Sequence, residues 1–162
     1  MAVKITRMAD YAVRVVLELT TTGTEGRVRG EDVGDRHSVP RGVMTRILAR
    51  LAACGIADTR RGAGGGVKLA KPASEISLLD VVEAIDGPVE LNRCTRRPGE
   101  CPNDSYCAVH PVWLGLQHDF RGRLSSIRFD ALAAGASGPI VCPAKEPTAE
   151  LTQLGRPTTW TP

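Results

Sequence analysis

Residues 62–66, Gly-Ala-Gly-Gly-Gly, offer no side chain larger than a methyl group. Such a run neither propagates a helix nor packs a strand, so the chain must turn there. The flanks, residues 55–60 and 67–70, read as two short strands, and a strand, a glycine turn and a strand make a hairpin. Arg60 and Arg61 stand at its base. A nucleotide-phosphate cradle is also glycine-rich, but no Gly-Lys-Ser or Gly-Lys-Thr follows here and the dinucleotide-binding spacing is absent.

The rest of the chain is patterned for helices. Over residues 6–21, Ala9, Ala12, Val13, Val16, Leu17 and Leu19 recur at helical spacing, and Thr20-Thr21-Thr22-Gly23 closes the run, which predicts a buried first helix. Aromatics make up only 4% of the chain, so the core is built mainly from Ala, Val, Leu and Ile. A polar segment at 30–37, carrying Val33, is expected to make one or two helical turns before Ser38-Val39. Pro40 is placed for the first turn of a third helix, whose apolar stripe is Met44, Ile47, Leu48 and Leu51. A further helix is expected over 78–86, with Ser77 as cap, Asp80 three residues on, and Gly87-Pro88 as its stop. Pro111 opens a long helix in which Trp113, Leu116, Phe120, Leu124 and Ile127 form a stripe suited to pairing with a second subunit or to packing on its own domain. The proline-bearing tail from 135 is predicted to be flexible.

Net charge is only +3, but it is unevenly distributed. Residues 27–71 hold ten basic side chains, Arg27, Arg29, Arg36, Arg41, Arg46, Arg50, Arg60, Arg61, Lys68 and Lys71, against four acidic ones. That local balance of +6 leaves −3 for the remainder. Without supporting structure, such a segment is a solvated face. Here it coincides with two helices joined by a short turn, the second rich in arginine, followed by a hairpin, which is the layout of a winged helix-turn-helix facing double-stranded DNA. Arg41, Thr45 and Arg46 are then the candidates for base edges, and Arg50, Arg60, Arg61 and Lys68 for phosphates or the minor groove.

Lys4, Arg7, Asp10, Arg14 and Glu18 interrupt the first twenty residues, leaving no signal-peptide core and no membrane span, which predicts a cytoplasmic protein. In that compartment the five cysteines read as thiols or metal ligands rather than a disulfide framework. Cys54, at the end of the third helix, is expected to be a small buried hydrophobe, and Cys142 a free thiol in the tail. Cys94, Cys101 and Cys107 are separated by six and then five residues, and His110 follows after two more. Three thiolates and an imidazole suit either a four-coordinate zinc or an iron–sulfur cluster; the lack of a Cys-x-x-Cys pair tilts toward the cluster. A thiol enzyme ranks below both, since His37, His110 and His118 are the only histidines and no nucleophile elbow or acid pair accompanies them.

Four motifs in order, Ala9-Asp10-Tyr11-Ala12-Val13-Arg14, Arg61-Gly62-Ala63-Gly64-Gly65-Gly66, Leu79-Asp80-Val81-Val82 with Asp86-Gly87, and the cysteine loop, resemble the iron–sulfur winged-helix transcription regulators that include IscR, NsrR and RirA. The likeness spans about residues 1–132. It implies a homodimeric DNA-binding regulator, most often a repressor and not an enzyme, whose cluster is held by Cys94, Cys101, Cys107 and one further residue. In the NsrR branch a 4Fe-4S cluster takes an aspartate from the first helix of the other subunit, and Asp10 stands at that position. In the IscR branch a 2Fe-2S cluster takes a histidine three residues after the third cysteine, where His110 stands. The first cysteine spacing is one residue longer than the usual IscR pattern. Read without the resemblance, Asp10 is a salt-bridged surface residue and His110 a helix-start residue.

The fold class expected is mainly α with a small β wing, a winged helix-turn-helix plus a long dimerisation helix. The division is 1–90 for the DNA-binding domain, 91–110 for the cysteine loop, 111–134 for the dimerisation helix and a short following helix, and 135–162 for the tail. Asp10 gives preference to a 4Fe-4S cluster sensing nitric oxide or redox stress. The alternatives are an iron-status regulator with a 2Fe-2S cluster and a zinc-stabilised DNA-binding protein.

Overall fold

The computed structural model describes residues 5–22, 26–62, 64–96, 101–103 and 106–135. Helix α1 (Arg7–Thr22) runs through the core: Ala9, Ala12, Val15, Val16 and Leu19 are buried at steps of three, three, one and three, the stripe expected of a helix covered along one side. The chain just before it is anchored from afar. The Thr6 hydroxyl accepts the Ala9 N–H, while Asp86 accepts both the Thr6 N–H at 2.9 Å and the Thr6 hydroxyl at 2.6 Å.

Helices α2 (Gly30–Arg36) and α3 (Arg41–Ala53) follow, joined by a four-residue turn in which Ser38 adopts φ 54°. Their close approach depends on Gly30, where a Cβ would lie 2.9 Å from Leu48 Cδ1. Pro40 stands one residue earlier than expected. It caps α3, and its carbonyl accepts the N–H groups of Val43 and Met44. Met44, Ile47 and Leu51 turn into the core, as the stripe requires, while Leu48 is half-buried against α2.

Strands β1 (Ala57–Arg60) and β2 (Gly66–Leu69) pair antiparallel with Ala57 opposite Leu69 and Arg60 opposite Gly66. Val28 adds a third edge, exchanging both backbone hydrogen bonds with Val67 at 3.0 and 2.8 Å. Gly66 admits no side chain: its φ is +146° and a Cβ would come within 2.6 Å of the Val28 carbonyl oxygen. The hairpin predicted from the glycine run is therefore present, with the first strand beginning two residues later than the sequence pattern and the second shifted one residue toward the turn.

Helix α4 (Leu78–Asp86) matches its expected bounds, and its capping box is complete, Ser77 accepting from the Asp80 N–H and Asp80 from the Ser77 N–H. Beyond it come α5 (Arg93–Arg96), α6 (His110–Ser126) and α7 (Phe129–Gly135). The last helix returns to the core. Phe129, fully buried, packs there, and its N–H donates to the Ile76 carbonyl.

Two expectations change. Cys54 is exposed, because it caps the C-terminal end of α3 where the helix leaves the core. The α6 stripe is split: Leu124 is buried and Phe120 half-buried against Leu79, Val82 and Val89, whereas Trp113 and Leu116 remain 38% and 47% exposed. Residues 136–162, including Cys142, lie outside the described residues. Among the described residues no helix is long and apolar enough to cross a membrane.

Candidate nucleic-acid interface and cysteine segment

Burying Met44, Ile47 and Leu51 forces the opposite side of α3 outward, so Arg41, Thr45, Arg46 and Arg50 are all exposed. Arg41 lies 3.9 Å from Glu31, and both side chains are open to water, a pair worth little and free to exchange for another anion. The Thr45 hydroxyl donates to the Arg41 carbonyl at 3.1 Å. Arg50 differs from the others: its guanidinium donates to the Ile85 carbonyl and ties the end of α3 to the end of α4. On the hairpin, Arg60, Arg61 and Lys68 are exposed.

Two cations counted in the basic segment are engaged elsewhere. Arg27 is largely buried behind the hairpin, ion-paired with Asp58 and donating to the carbonyls of Asp58 at 3.0 Å and Gly66 at 3.2 Å. It clamps β1 to β2. Arg36 pairs with Glu18, and His37 Nε2 lies 2.5 Å from the other oxygen of the same carboxylate, so the helix-turn-helix turn is fastened to α1. Sequence reasoning missed both roles, since their partners lie 31 and 18 residues away.

Cys94 stands on α5, and Cys94, Cys101 and Cys107 are half-buried free thiols. One side chain holds the first of them in place. Gln117 Oε1 on α6 accepts the Leu91 N–H at 3.1 Å and the Thr95 hydroxyl at 2.5 Å, bracketing Cys94 from both sides in sequence. His110 is 8% exposed at the foot of α6, and its N–H donates to the Cys107 carbonyl. Asp10 is on the outer side of α1, half exposed and paired with Arg14 at 2.8 Å. Three free thiols are the donor chemistry an iron–sulfur cluster needs. They are not drawn together, for among the described residues no three His, Cys, Asp or Glu side chains are grouped to hold a metal ion.

Residues 5–135 match the family model described as "Rrf2: Iron-dependent Transcriptional regulator". The chain belongs to the Rrf2 family. This Rrf2 regulator is 33% identical over 129 residues to the HTH-type transcriptional regulator IscR of Photorhabdus laumondii, covering 80% of this chain and 78% of that one. It is 29% identical over 154 residues to IscR of Serratia proteamaculans, covering 95% and 93%. Among solved structures, T. potens IscR superposes with a TM-score of 0.66 at 20% identity, covering 82% of this chain and 88% of that one. CymR, the global cysteine regulator of B. subtilis, superposes with 0.65 at 20%, covering 81% and 96%. The structures establish the winged-helix fold, and family membership makes the Rrf2 chain a DNA-binding transcription regulator rather than an enzyme.

Proposed function

We propose that this Rrf2 regulator is a cytoplasmic homodimeric repressor whose hold on operator DNA depends on an iron–sulfur cluster carried by Cys94, Cys101 and Cys107. The observation that carries the reading is that three free, half-buried thiols occupy the segment joining the winged-helix domain, residues 1–90, to α6. When bound, the cluster supplies an oxidant- and nitric oxide-reactive centre whose ligation orders that segment. Asp10 serves as fourth donor from the second copy, completing a 4Fe-4S site, because its carboxylate is half exposed and a subunit docked there reaches it by displacing Arg14. A second reading, with His110 as donor to a 2Fe-2S cluster and iron status as the signal, is favoured by relatives named IscR and by the backbone hydrogen bond from the His110 N–H to the Cys107 carbonyl, which holds the two residues in one turn.

Dimerisation falls to α6. Val109, Val112, Trp113 and Leu116 recur at steps of three, one and three, and all are exposed, an apolar face that a second copy covers. Movement of the loop has a physical route to DNA. Arg121 on α6 pairs with Glu83 on α4, Glu83 also accepts the Val89 N–H, and Arg50 joins the end of α4 to α3. On DNA, Arg41, Thr45 and Arg46 read base edges, while Arg60, Arg61 and Lys68 meet phosphates or the minor groove. Arg50 meets phosphate only after leaving Ile85.

The test is isolation without oxygen, with iron, sulfide and zinc counted for the parent chain, Asp10→Ala and His110→Ala. Iron and sulfide in the parent with loss in Asp10→Ala alone supports the first reading. Loss in His110→Ala alone supports the second, and zinc without iron overturns both in favour of a zinc-stabilised DNA-binding protein.

A further inference from the structure

The loop cysteines differ in how they are supported. Cys101 and Cys107 belong to irregular backbone, whereas Cys94 is the second residue of α5, a four-residue helix too short to persist unaided. Its stability must come from its contacts. Thr95 is buried, with one hydroxyl proton between two acceptors, Asn92 O at 2.8 Å and Gln117 Oε1 at 2.5 Å. The same oxygen of Thr95 faces the Asn92 N–H at 3.3 Å, so it closes the start of the turn as an N3 side chain does in a capping box. Gln117 takes the Leu91 N–H as well, so one amide oxygen on α6 fixes the backbone on both sides of Cys94.

We infer that Gln117 is a positioning residue for the Cys94 thiol, holding α5 against α6 through Leu91 and Thr95 so that the first cluster ligand is preset before any metal binds. The inference deepens the reading of the loop as a cluster site and rests on it for its biological meaning, but the positioning itself is a property of the chain. Glutamate at 117 retains the accepting oxygens, and leucine removes them. Serine at 95 retains the hydroxyl, and valine removes it.

The experiment uses the full-length chain freed of metal under reducing conditions, exposed to iodoacetamide, with alkylation of each cysteine followed by mass spectrometry. Reaction at a half-buried thiol proceeds through local opening, so losing the two hydrogen bonds that Gln117 accepts, from the Leu91 N–H and the Thr95 hydroxyl, is expected to speed Cys94 at least about fivefold in Gln117→Leu. Cys101 and Cys107 serve as internal references and keep their rates. Gln117→Glu restores the slow rate. Iron retention by the anaerobically isolated holoprotein against a chelator is read in parallel, and shortens in Gln117→Leu but not in Gln117→Glu. If Gln117→Leu does not fold, Thr95→Val against Thr95→Ser makes the same comparison. Unchanged Cys94 alkylation, or an equal rise at all three thiols, overturns the inference. Faster Cys94 alkylation in a chain that never binds iron leaves the positioning intact and overturns the cluster reading instead.

Discussion

The arginines of this chain divide by what already touches them. Arg46 and Arg61 are exposed, on α3 and at the base of the hairpin, whereas Arg27 and Arg36 have carboxylate partners and a structural task. The division sets an expectation for binding. Arg46→Ala is expected to cost about 1–3 kcal/mol against the preferred operator and to relax selectivity at one base position. Arg61→Ala should weaken all sequences alike and lower the salt-dependence slope by about 1. Titrations of operator and scrambled duplexes across a salt series check both, and identical profiles contradict the assignment. At this scale the sequence showed which side chains were polar and helically placed, hence Arg41, Thr45 and Arg46 on the outer side of α3. It could not show that Arg27 turns inward to Asp58, because that depends on a hairpin folding back across 31 residues.

Elements were legible where a local signal stood at each end. Ser77, Asp80 and Gly87 bound α4 at the residues their capping chemistry dictates, and Gly66 sits where Val28 leaves no room for a side chain. Cys54 was misplaced because helical spacing stops giving direction at a C-cap, and there the chain turns away from the core. The burial of α7 was not legible either. Its sequence is short and weakly patterned, and its place comes from Phe129 entering the α1 core while Arg128 bridges to Ser77. Removing that ring should be severe: Phe129→Ala is expected to lower stability by about 3–5 kcal/mol in chemical denaturation. A loss below about 1 kcal/mol would mean that α7 does not seal the core.

As a whole molecule, the chain has a buried α-helical core carrying a winged helix-turn-helix edge and an α6 whose first half is incompletely covered. Leu116 is 47% exposed in the single chain, so Leu116→Asp leaves the protomer's packing alone and acts only on association. Sedimentation should show a dimer converted to a folded monomer with unchanged circular dichroism; a dimer that persists would place the interface elsewhere. The cysteine segment was the least legible part, since spacing gives donor types but not their convergence, and the described thiols are not gathered into a site. In the proposed reading, Cys94 is preset by Gln117, ligation draws Cys101 and Cys107 to it, and the effect passes through the contacts from α6 through α4 to α3. The most direct measurement is the Kd for one operator fragment, at fixed salt and without oxygen, of the iron-loaded chain and of the same preparation after the iron has been removed. Binding at least about tenfold tighter is expected in the loaded state, a coupling of about 1.4 kcal/mol; equal Kd values in the two states would rule out control of operator binding by the cluster.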